Sequence, residues 1–229
     1  MIEAFRLGLF SRGKILWDGL DFAFGDGSVW VIVGPPSSGK TLLLSILRGE
    51  RQPDAGDVLV AGESLYRGSA PAARAFRAAG AAITERADGD AHLTVEALFV
   101  RSALACGGLA RGERKERRER LLSMVGLAGS ERFPLVSLSA SEQARARLAA
   151  ELVRSPKFLF ADGLVSSAGV PFQEMLGALF RALAAEGNTI LLAERLLPAR
   201  WAALAGDGKA VGPFRIFRLP DSPGKEGAS

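Results

Sequence analysis

The sequence contains few of the residues that build disulfides and histidine metal centres. Cys106 is the one cysteine among 229 residues, which excludes an internal disulfide and favours a reducing compartment. His92 is the one histidine, so a metal site built from several histidines is ruled out. No stretch reaches the ~18 uncharged apolar residues of a membrane-spanning helix. The first residues also lack the apolar run of a secretory signal, and we expect none.

The composition is that of a folded domain with a weak basic excess. Hydrophobic residues make up 48 % of the chain, which is enough for one large domain or for a core with an inserted subdomain. The net charge is +4. Arginines crowd the segment Arg111–Arg120, but Glu113, Glu116 and Glu119 interleave with them at helical spacings. We therefore expect a solvated helix face here and no direct nucleic-acid binding.

A glycine-rich segment, Gly34–Thr41, has the form G-x-x-x-x-G-K-[S/T]. The apolar run Val29–Val33 enters it like a buried strand, and the residues after Thr41 have the pattern of a helix start. Successive backbone N–H groups and a helix N-terminus then point at anionic oxygens. Lys40 can reach the β- and γ-phosphates, and the Thr41 hydroxyl can ligate Mg²⁺. This context favours a nucleoside triphosphate site over a chance glycine-rich turn. The predicted phosphate-binding residues are Gly34, Ser37, Ser38, Gly39, Lys40 and Thr41.

Predicted strands and helices alternate along the chain. Such alternation around a phosphate loop predicts a mostly parallel sheet with helices on both faces. Strands are predicted at residues 4–10, 15–24, 28–33, 57–60, 63–66, 81–84, 158–161 and 189–193. Helices are predicted from the phosphate loop to about Gly49, from Thr94 onwards, and at residues 111–127, 139–153 and 172–185. The tail, residues 220–229, is polar with Pro and Gly, and we expect it to be disordered.

A second motif follows at a fixed distance. The segment Leu138–Arg145 reads LSASEQAR, and 24 residues after Leu138 an apolar run ends in Asp162. With the phosphate loop, the order and spacing resemble those of the ATP-binding cassette (ABC) ATPases over roughly residues 3–200. The resemblance implies an α/β fold of the P-loop (RecA-like) type, with a mostly parallel sheet, an antiparallel β subdomain and an inserted α-helical subdomain at about residues 86–155. These parts would form one nucleotide-binding domain, residues 1–219.

The resemblance also assigns roles to individual residues. Asp162 corresponds to the Walker B aspartate, which holds the Mg²⁺ water shell, so Thr41 and Asp162 are the expected metal-site residues. The alternative for Asp162 is a turn residue at a strand end. Phe10 stands where the family places an aromatic ring against adenine, and its alternative is a core position. Ser139 opens the signature, which in the family faces the ATP held by a second cassette.

The chain departs from the family at the positions that serve hydrolysis. The family's catalytic glutamate is Gly163 here, its switch histidine is Arg195, and Glu85 stands in place of a glutamine. The resemblance thus implies a degenerate cassette that binds ATP with Mg²⁺ and hydrolyses it weakly or not at all, because a positioned general base contributes ~10²–10⁴ in rate. Glu85 or Glu194 remains an alternative source of the missing carboxylate. Further departures are Gly169, Ala140 and Ser141, where the family has an aspartate and two glycines.

These features together predict an ATP-binding subunit of an ABC-type membrane transport complex. The resemblance implies a membrane-spanning partner subunit, a second ATPase subunit, and a cytoplasmic location at the inner face of the membrane. A heterodimer with an intact cassette is favoured over a homodimer, because two copies of this chain would lack the catalytic glutamate in both sites. The alternative function is an ATP-gated clamp or scaffold for a protein or nucleic-acid partner. A small-molecule kinase is disfavoured, because such an enzyme has no use for the segment Leu138–Arg145.

Overall fold

The computed structural model describes residues 1–11, 13–84, 90–105, 110–166, 168–197, 201 and 213–220. Glu85, Cys106 and the tail from residue 221 onwards lie outside these ranges. The strands are β1 (Ile2–Ser11), β2 (Lys14–Phe24), β3 (Val29–Val33), β4 (Ala55–Val60), β5 (Glu63–Ser64), β6 (Gly80–Thr84), β7 (Phe158–Asp162), β8 (Thr189–Glu194) and β9 (Phe214–Arg218). The helices are α1 (Lys40–Leu47), α2 (Ala70–Ala79), α3 (Val95–Leu104), α4 (Arg111–Met124), α5 (Ala140–Leu152) and α6 (Val170–Ala185).

A parallel sheet of five strands, in the order β6-β7-β8-β3-β9, forms the centre of the fold. Successive side chains of a strand point to opposite faces of the sheet, and in β3 they enter two different hydrophobic clusters. Val31 packs into a cluster with Leu176 and Phe180 of α6, whereas Ile32 packs into a second cluster with Leu43 of α1. Both faces of the sheet are therefore covered, which explains why its strands read as continuous apolar runs.

An antiparallel sheet, in the order β2-β1-β4-β5, packs on the same face of the parallel sheet as α1. Its buried side chains Leu7, Leu9 and Trp17 share the second cluster with α1. Strand β1 is bent by register irregularities along its pairing with β2. The predicted α/β class, with one parallel and one antiparallel sheet, is confirmed by this architecture.

Two elements were not predicted from the sequence. Strand β9 was missed because arginines at positions 215 and 218 interrupt its apolar pattern, as suits a half-buried edge strand. Helix α2 was missed although its signals are present: Ser69 accepts the Ala72 N–H at 3.3 Å and Pro71 lies in the first turn. Helix α4 is shorter than the predicted 111–127, because the chain turns at Gly126 with φ of 70°. No helix in the described ranges has both the length and the hydropathy to cross a bilayer.

Helices α3, α4 and α5 share a hydrophobic cluster of their own. An ion pair ties the chain entering this cluster to α3. Asp90 is 7 % exposed, and its carboxylate accepts hydrogen bonds from both terminal guanidinium nitrogens of Arg101, with an Nη2–Oδ2 distance of 2.8 Å. The hydrogen bond from Arg101 is the main reason why the pKa of Asp90 lies below its ordinary value of 3.8, although partial burial opposes the shift. Asp90 is thus a charged anchor for the segment that precedes α3.

Asp90→Asn should lower the free energy of unfolding at pH 7 by about 1–3 kcal/mol. We expect the lower end of that range, because the Arg101 guanidinium is half-exposed and screened. A depressed folded-state pKa contributes stability above the unfolded value, which is lost as pH falls through the folded value. The difference between Asp90→Asn and wild type should therefore shrink below pH ~4. Urea titrations at pH 7 and pH 3 measure it, and Glu119→Gln in an exposed ion pair serves as the control. A constant difference at both pH values would contradict the ionic contribution.

Candidate functional site

The phosphate loop lies between β3 and α1, at the carboxyl edge of the parallel sheet. Its backbone takes two left-handed positions, Ser37 with φ of 64° and Gly39 with φ of 92°. Gly39 is also close to a neighbour, because a Cβ there would lie 2.7 Å from Nε1 of Trp17. A glycine is therefore required at position 39 for two reasons, backbone conformation and space. The loop ends at Lys40, the first residue of α1, so the N-terminus of that helix opens onto the site.

Lys40 is folded onto the phosphate loop. Its Nζ donates to the carbonyl oxygens of Gly34 and Pro35, both at 2.7 Å, and the residue is 9 % exposed. Burial lowers the pKa of Lys40, the charge of Asp162 raises it, and the charge of Arg195 lowers it further. A cation held among backbone carbonyls at a helix N-terminus is well placed to receive an anionic ligand.

Asp162 and Thr41 meet at the end of β7. The Thr41 hydroxyl donates to Oδ2 of Asp162 at 2.5 Å, although the two residues are 121 positions apart. Parallel pairing of β7 with β8 places Asp162 opposite Ala193 at the same edge as the phosphate loop. A hydroxyl and a carboxylate oxygen are ligands that Mg²⁺ accepts, with water and phosphate oxygens completing its shell. Among the described residues no group of three or more His, Cys, Asp or Glu side chains could hold a metal alone. The pair therefore fits a cation that arrives with a nucleotide.

Phe10 lies at the end of β1 and is 46 % exposed, so it does not belong to the core. It pairs with Ile15 of β2, and the next residue, Leu16, lies close to Gly39 of the phosphate loop. The hairpin end that carries Phe10 is thus the end that lies against the loop. An exposed aromatic ring at this place is available to stack on a base.

Ser139 caps helix α5. Its backbone N–H and its hydroxyl both donate to Oε2 of Glu142, at 2.9 and 2.7 Å, and its Oγ accepts the Glu142 N–H at 3.4 Å. These reciprocal bonds lower the pKa of Glu142, chiefly through the Ser139 hydroxyl. The structure places Ser139 at the exposed N-terminus of α5, whereas Lys40, Thr41 and Asp162 meet at the sheet edge.

Two of the three hydrolysis-related departures expected from the resemblance lie around the same sheet edge. Gly163 follows β7 with φ of 70° and donates its N–H to the Ala193 oxygen at 2.9 Å. Arg195 follows β8 and is exposed. Because Val33 pairs with Glu194, Arg195 comes next to the start of the phosphate loop. Glu85, the third departure, lies outside the described residues. Glycine at 163 leaves no side chain that could orient water beside Asp162.

Glu194 is the one buried carboxylate at this edge among the described residues. It is 1 % exposed and accepts the Val165 N–H at 2.7 Å, the Ser166 N–H at 2.9 Å and the Ser166 hydroxyl. Burial raises its pKa, the three hydrogen bonds lower it, and the charge of Asp162 raises it. In the sequence, the signal for this group is a charged residue ending an otherwise apolar strand. No sequence pattern indicated that Trp17 would contact the phosphate loop at Gly39. Its buried Nε1 has no hydrogen-bond partner among the described residues.

Known proteins identify the family to which this architecture belongs. The family model described as ABC transporter matches residues 17–165. The macrolide export ATP-binding/permease protein MacB 1 of Aeromonas hydrophila is 31 % identical over 220 residues, covering 90 % of this chain and 32 % of the relative. The hemin import ATP-binding protein HmuV of Rhodopseudomonas palustris is 28 % identical over 226 residues, covering 90 % of this chain and 84 % of the relative.

The fold agrees with these relatives. The dimeric structure of MJ0796, a bacterial ABC transporter cassette, superimposes with a TM-score of 0.78 over 97 % of both chains at 18 % identity. The chain belongs to the ABC transporter family, as its motifs indicated. Within that family it is an ATP-binding cassette, the nucleotide-binding part. The chain spans 32 % of MacB 1 and 61 % of the Fe(3+) ions import ATP-binding protein FbpC of Streptomyces avermitilis.

Gly39→Ala should distort the phosphate loop. The new methyl group meets the Trp17 indole in a backbone conformation that costs alanine roughly 1–2 kcal/mol. We expect a lower midpoint in urea and a shift in tryptophan fluorescence. Gly112→Ala is the matched control, because a Cβ at Gly112 meets nothing within 4 Å. Equal stability of the two variants would show that the contact with Trp17 does not constrain the loop.

Proposed function

We propose that the chain is the ATP-binding subunit of an ABC-type membrane transport complex and that it holds MgATP with weak or absent hydrolysis. The observation that carries this proposal is the sheet edge itself. Lys40, Thr41 and Asp162 are brought together there, while Gly163 beside them has no side chain. Binding and chemistry are thereby separated in this chain, because charge and metal ligands hold a triphosphate whereas hydrolysis also needs an oriented water.

Of the two alternative bases, Glu194 does not restore the missing group in this proposal. Glu194 has three donors on its two oxygens, so its carboxylate serves the neighbouring loop. Burial raises its pKa, but a general base must also lie within hydrogen-bond reach of the water it activates. Glu85, the other alternative base, lies outside the described residues. Arg195 cannot accept a proton as a histidine does, because guanidinium remains charged.

Partners follow from the family and from the incomplete site. The relatives named above are an export ATP-binding/permease protein and import ATP-binding proteins, so we propose a membrane-spanning subunit as partner and a peripheral, cytoplasmic position. We also propose a second cassette. Pairing with an intact cassette would let Ser139 of this chain complete a working nucleotide site on the partner. Pairing with a second copy of this chain would place Gly163 in both nucleotide sites. The names of the relatives cover macrolide, iron and hemin transport, and therefore do not select a substrate.

The isolated chain should bind ATP in the presence of Mg²⁺, and Lys40→Ala should weaken this binding at least ~10-fold through loss of a charge-assisted contact. Isothermal titration of the folded protein measures both. Lys115→Ala removes an exposed lysine on α4 and is the control for charge alone. A folded wild-type chain without measurable affinity for ATP would refute the proposed function.

Purified alone, the chain should hydrolyse ATP far more slowly than the ~1–10³ s⁻¹ typical of enzymes. Restoring turnover should require Gly163→Glu together with Arg195→His, because a base and a phosphate sensor act as a unit and their effects are not additive. A phosphate-release assay on the four proteins of this mutant cycle tests the prediction. Fast turnover by the wild-type chain that Lys40→Ala abolishes would place an intact base elsewhere, with Glu194 and Glu85 the first to examine.

A further inference from the structure

Glu194 differs from the other buried charged residues in how its charge is balanced. The described residues include three such side chains: Lys40, Asp90 and Glu194. Asp90 has an arginine partner and Lys40 lies among carbonyl oxygens at the phosphate loop. Glu194 is balanced only by N–H and O–H donors in the bonds described above. Burying a carboxylate without a cation costs several kcal/mol unless such donors compensate, so its presence calls for a physical reason.

The donors to Glu194 all belong to the chain that follows Asp162. Val165 and Ser166 direct consecutive backbone N–H groups at its two oxygens, and the Ser166 hydroxyl adds a third bond. The anchored segment, residues 163–166, directly follows β7. Glu194 therefore fastens the loop behind the metal-site aspartate to the end of the neighbouring strand.

Three further bonds complete the attachment of this part of the chain. The Gly163 N–H donates to the Ala193 oxygen at 2.9 Å, next to Glu194 on β8. From the other side, Nε2 of Gln173 on α6 donates to the oxygens of Val165 and Ala168, at 3.2 and 2.9 Å. Glu194 accepts hydrogen bonds from the backbone N–H groups of this part of the chain, and Gln173 donates hydrogen bonds to its backbone carbonyls. The two side chains therefore hold complementary groups of the same backbone.

We propose that Glu194 is a positioning residue of the metal–nucleotide site, whose carboxylate fixes residues 163–166 and thereby keeps Asp162 directed at Thr41. The inference rests on the proposed function, since it concerns the Mg²⁺ that accompanies the nucleotide. Residues that orient metal ligands from behind typically change metal affinity 10–100-fold when they are replaced. Glu194 touches neither phosphate nor metal in this assignment and is not a catalytic residue.

Glu194→Gln is the sharpest substitution, because it keeps the shape and removes one acceptor. The carboxamide nitrogen would face either the Val165 or the Ser166 N–H, donor against donor. ATP affinity is measured by titration with Mg²⁺ and again with EDTA. We expect the ATP affinity measured in EDTA to change little. The Mg²⁺ gain, which is the factor by which Mg²⁺ increases ATP affinity, should fall about 10-fold or more. Glu186→Gln, an exposed residue after α6, is the matched control and should behave as wild type.

Hydrogen exchange tests the anchor in the wild-type chain without any substitution. The amides of Val165 and Ser166 should exchange slowly although they lie outside helices and strands, and Glu194→Gln should accelerate them. If Glu194→Gln does not fold, Glu194→Asp keeps the charge but shortens the reach by one methylene, and it should also reduce the Mg²⁺ gain.

The outcomes separate this inference from the proposed function. A wild-type chain that binds no ATP refutes the proposed function and this inference with it. A wild-type chain that shows the Mg²⁺ gain, together with a folded Glu194→Gln or Glu194→Asp that keeps the gain in full, refutes the inference alone. An equal loss in Mg²⁺ and in EDTA also refutes it, because that pattern indicates general damage to the loop. Free exchange of the Val165 and Ser166 amides in wild type would remove its structural basis.

Discussion

The position of β3 within the parallel sheet determines where the phosphate loop lies relative to Asp162, Glu194 and Arg195. Its last residue, Val33, pairs with Glu194 on one side and with Arg218 on the other. Parallel strands end at the same edge, so the phosphate loop and the ends of β7 and β8 must converge there. The convergence depends on backbone pairing between apolar strands, and the side chains of the site contribute little to it. Substitutions at the edge can therefore change chemistry while the scaffold remains.

Lys40 and Glu194 show opposite uses of burial at this edge. Lys40 is a cation whose partners are carbonyl oxygens, and an anionic ligand can compete with them for its charge. Glu194 is an anion whose partners are N–H groups of the same chain, and these bonds keep it engaged. The first arrangement prepares a binding site, and the second stabilises a backbone segment. Both residues are buried and charged, and only the identity of their partners distinguishes a binding role from a positioning one.

Sequence patterns predicted the parallel sheet and the phosphate loop because both follow from local order. The apolar run into Gly34 and the spacing from Leu138 to Asp162 are visible in one dimension. The contact of Trp17 with Gly39 was not predictable, because it joins the antiparallel sheet to the loop through a bent pair of strands. The bonds from residues 165 and 166 to Glu194 were not predictable for a similar reason, since they connect the segment after β7 to the end of β8. Strand β9 was not predicted because Arg215 and Arg218 interrupt its apolar pattern, and only the assembled sheet shows that the strand lies at an edge.

The backbone at Gly163 restricts which residues this position accepts. Residue 163 has φ of 70°, a conformation that costs residues other than glycine roughly 1–2 kcal/mol. A glutamate introduced here would therefore carry strain that is a sizeable fraction of a typical domain stability of about 5–15 kcal/mol. Glycine carries no such cost, so the turn that follows Asp162 favours glycine over any residue with a side chain.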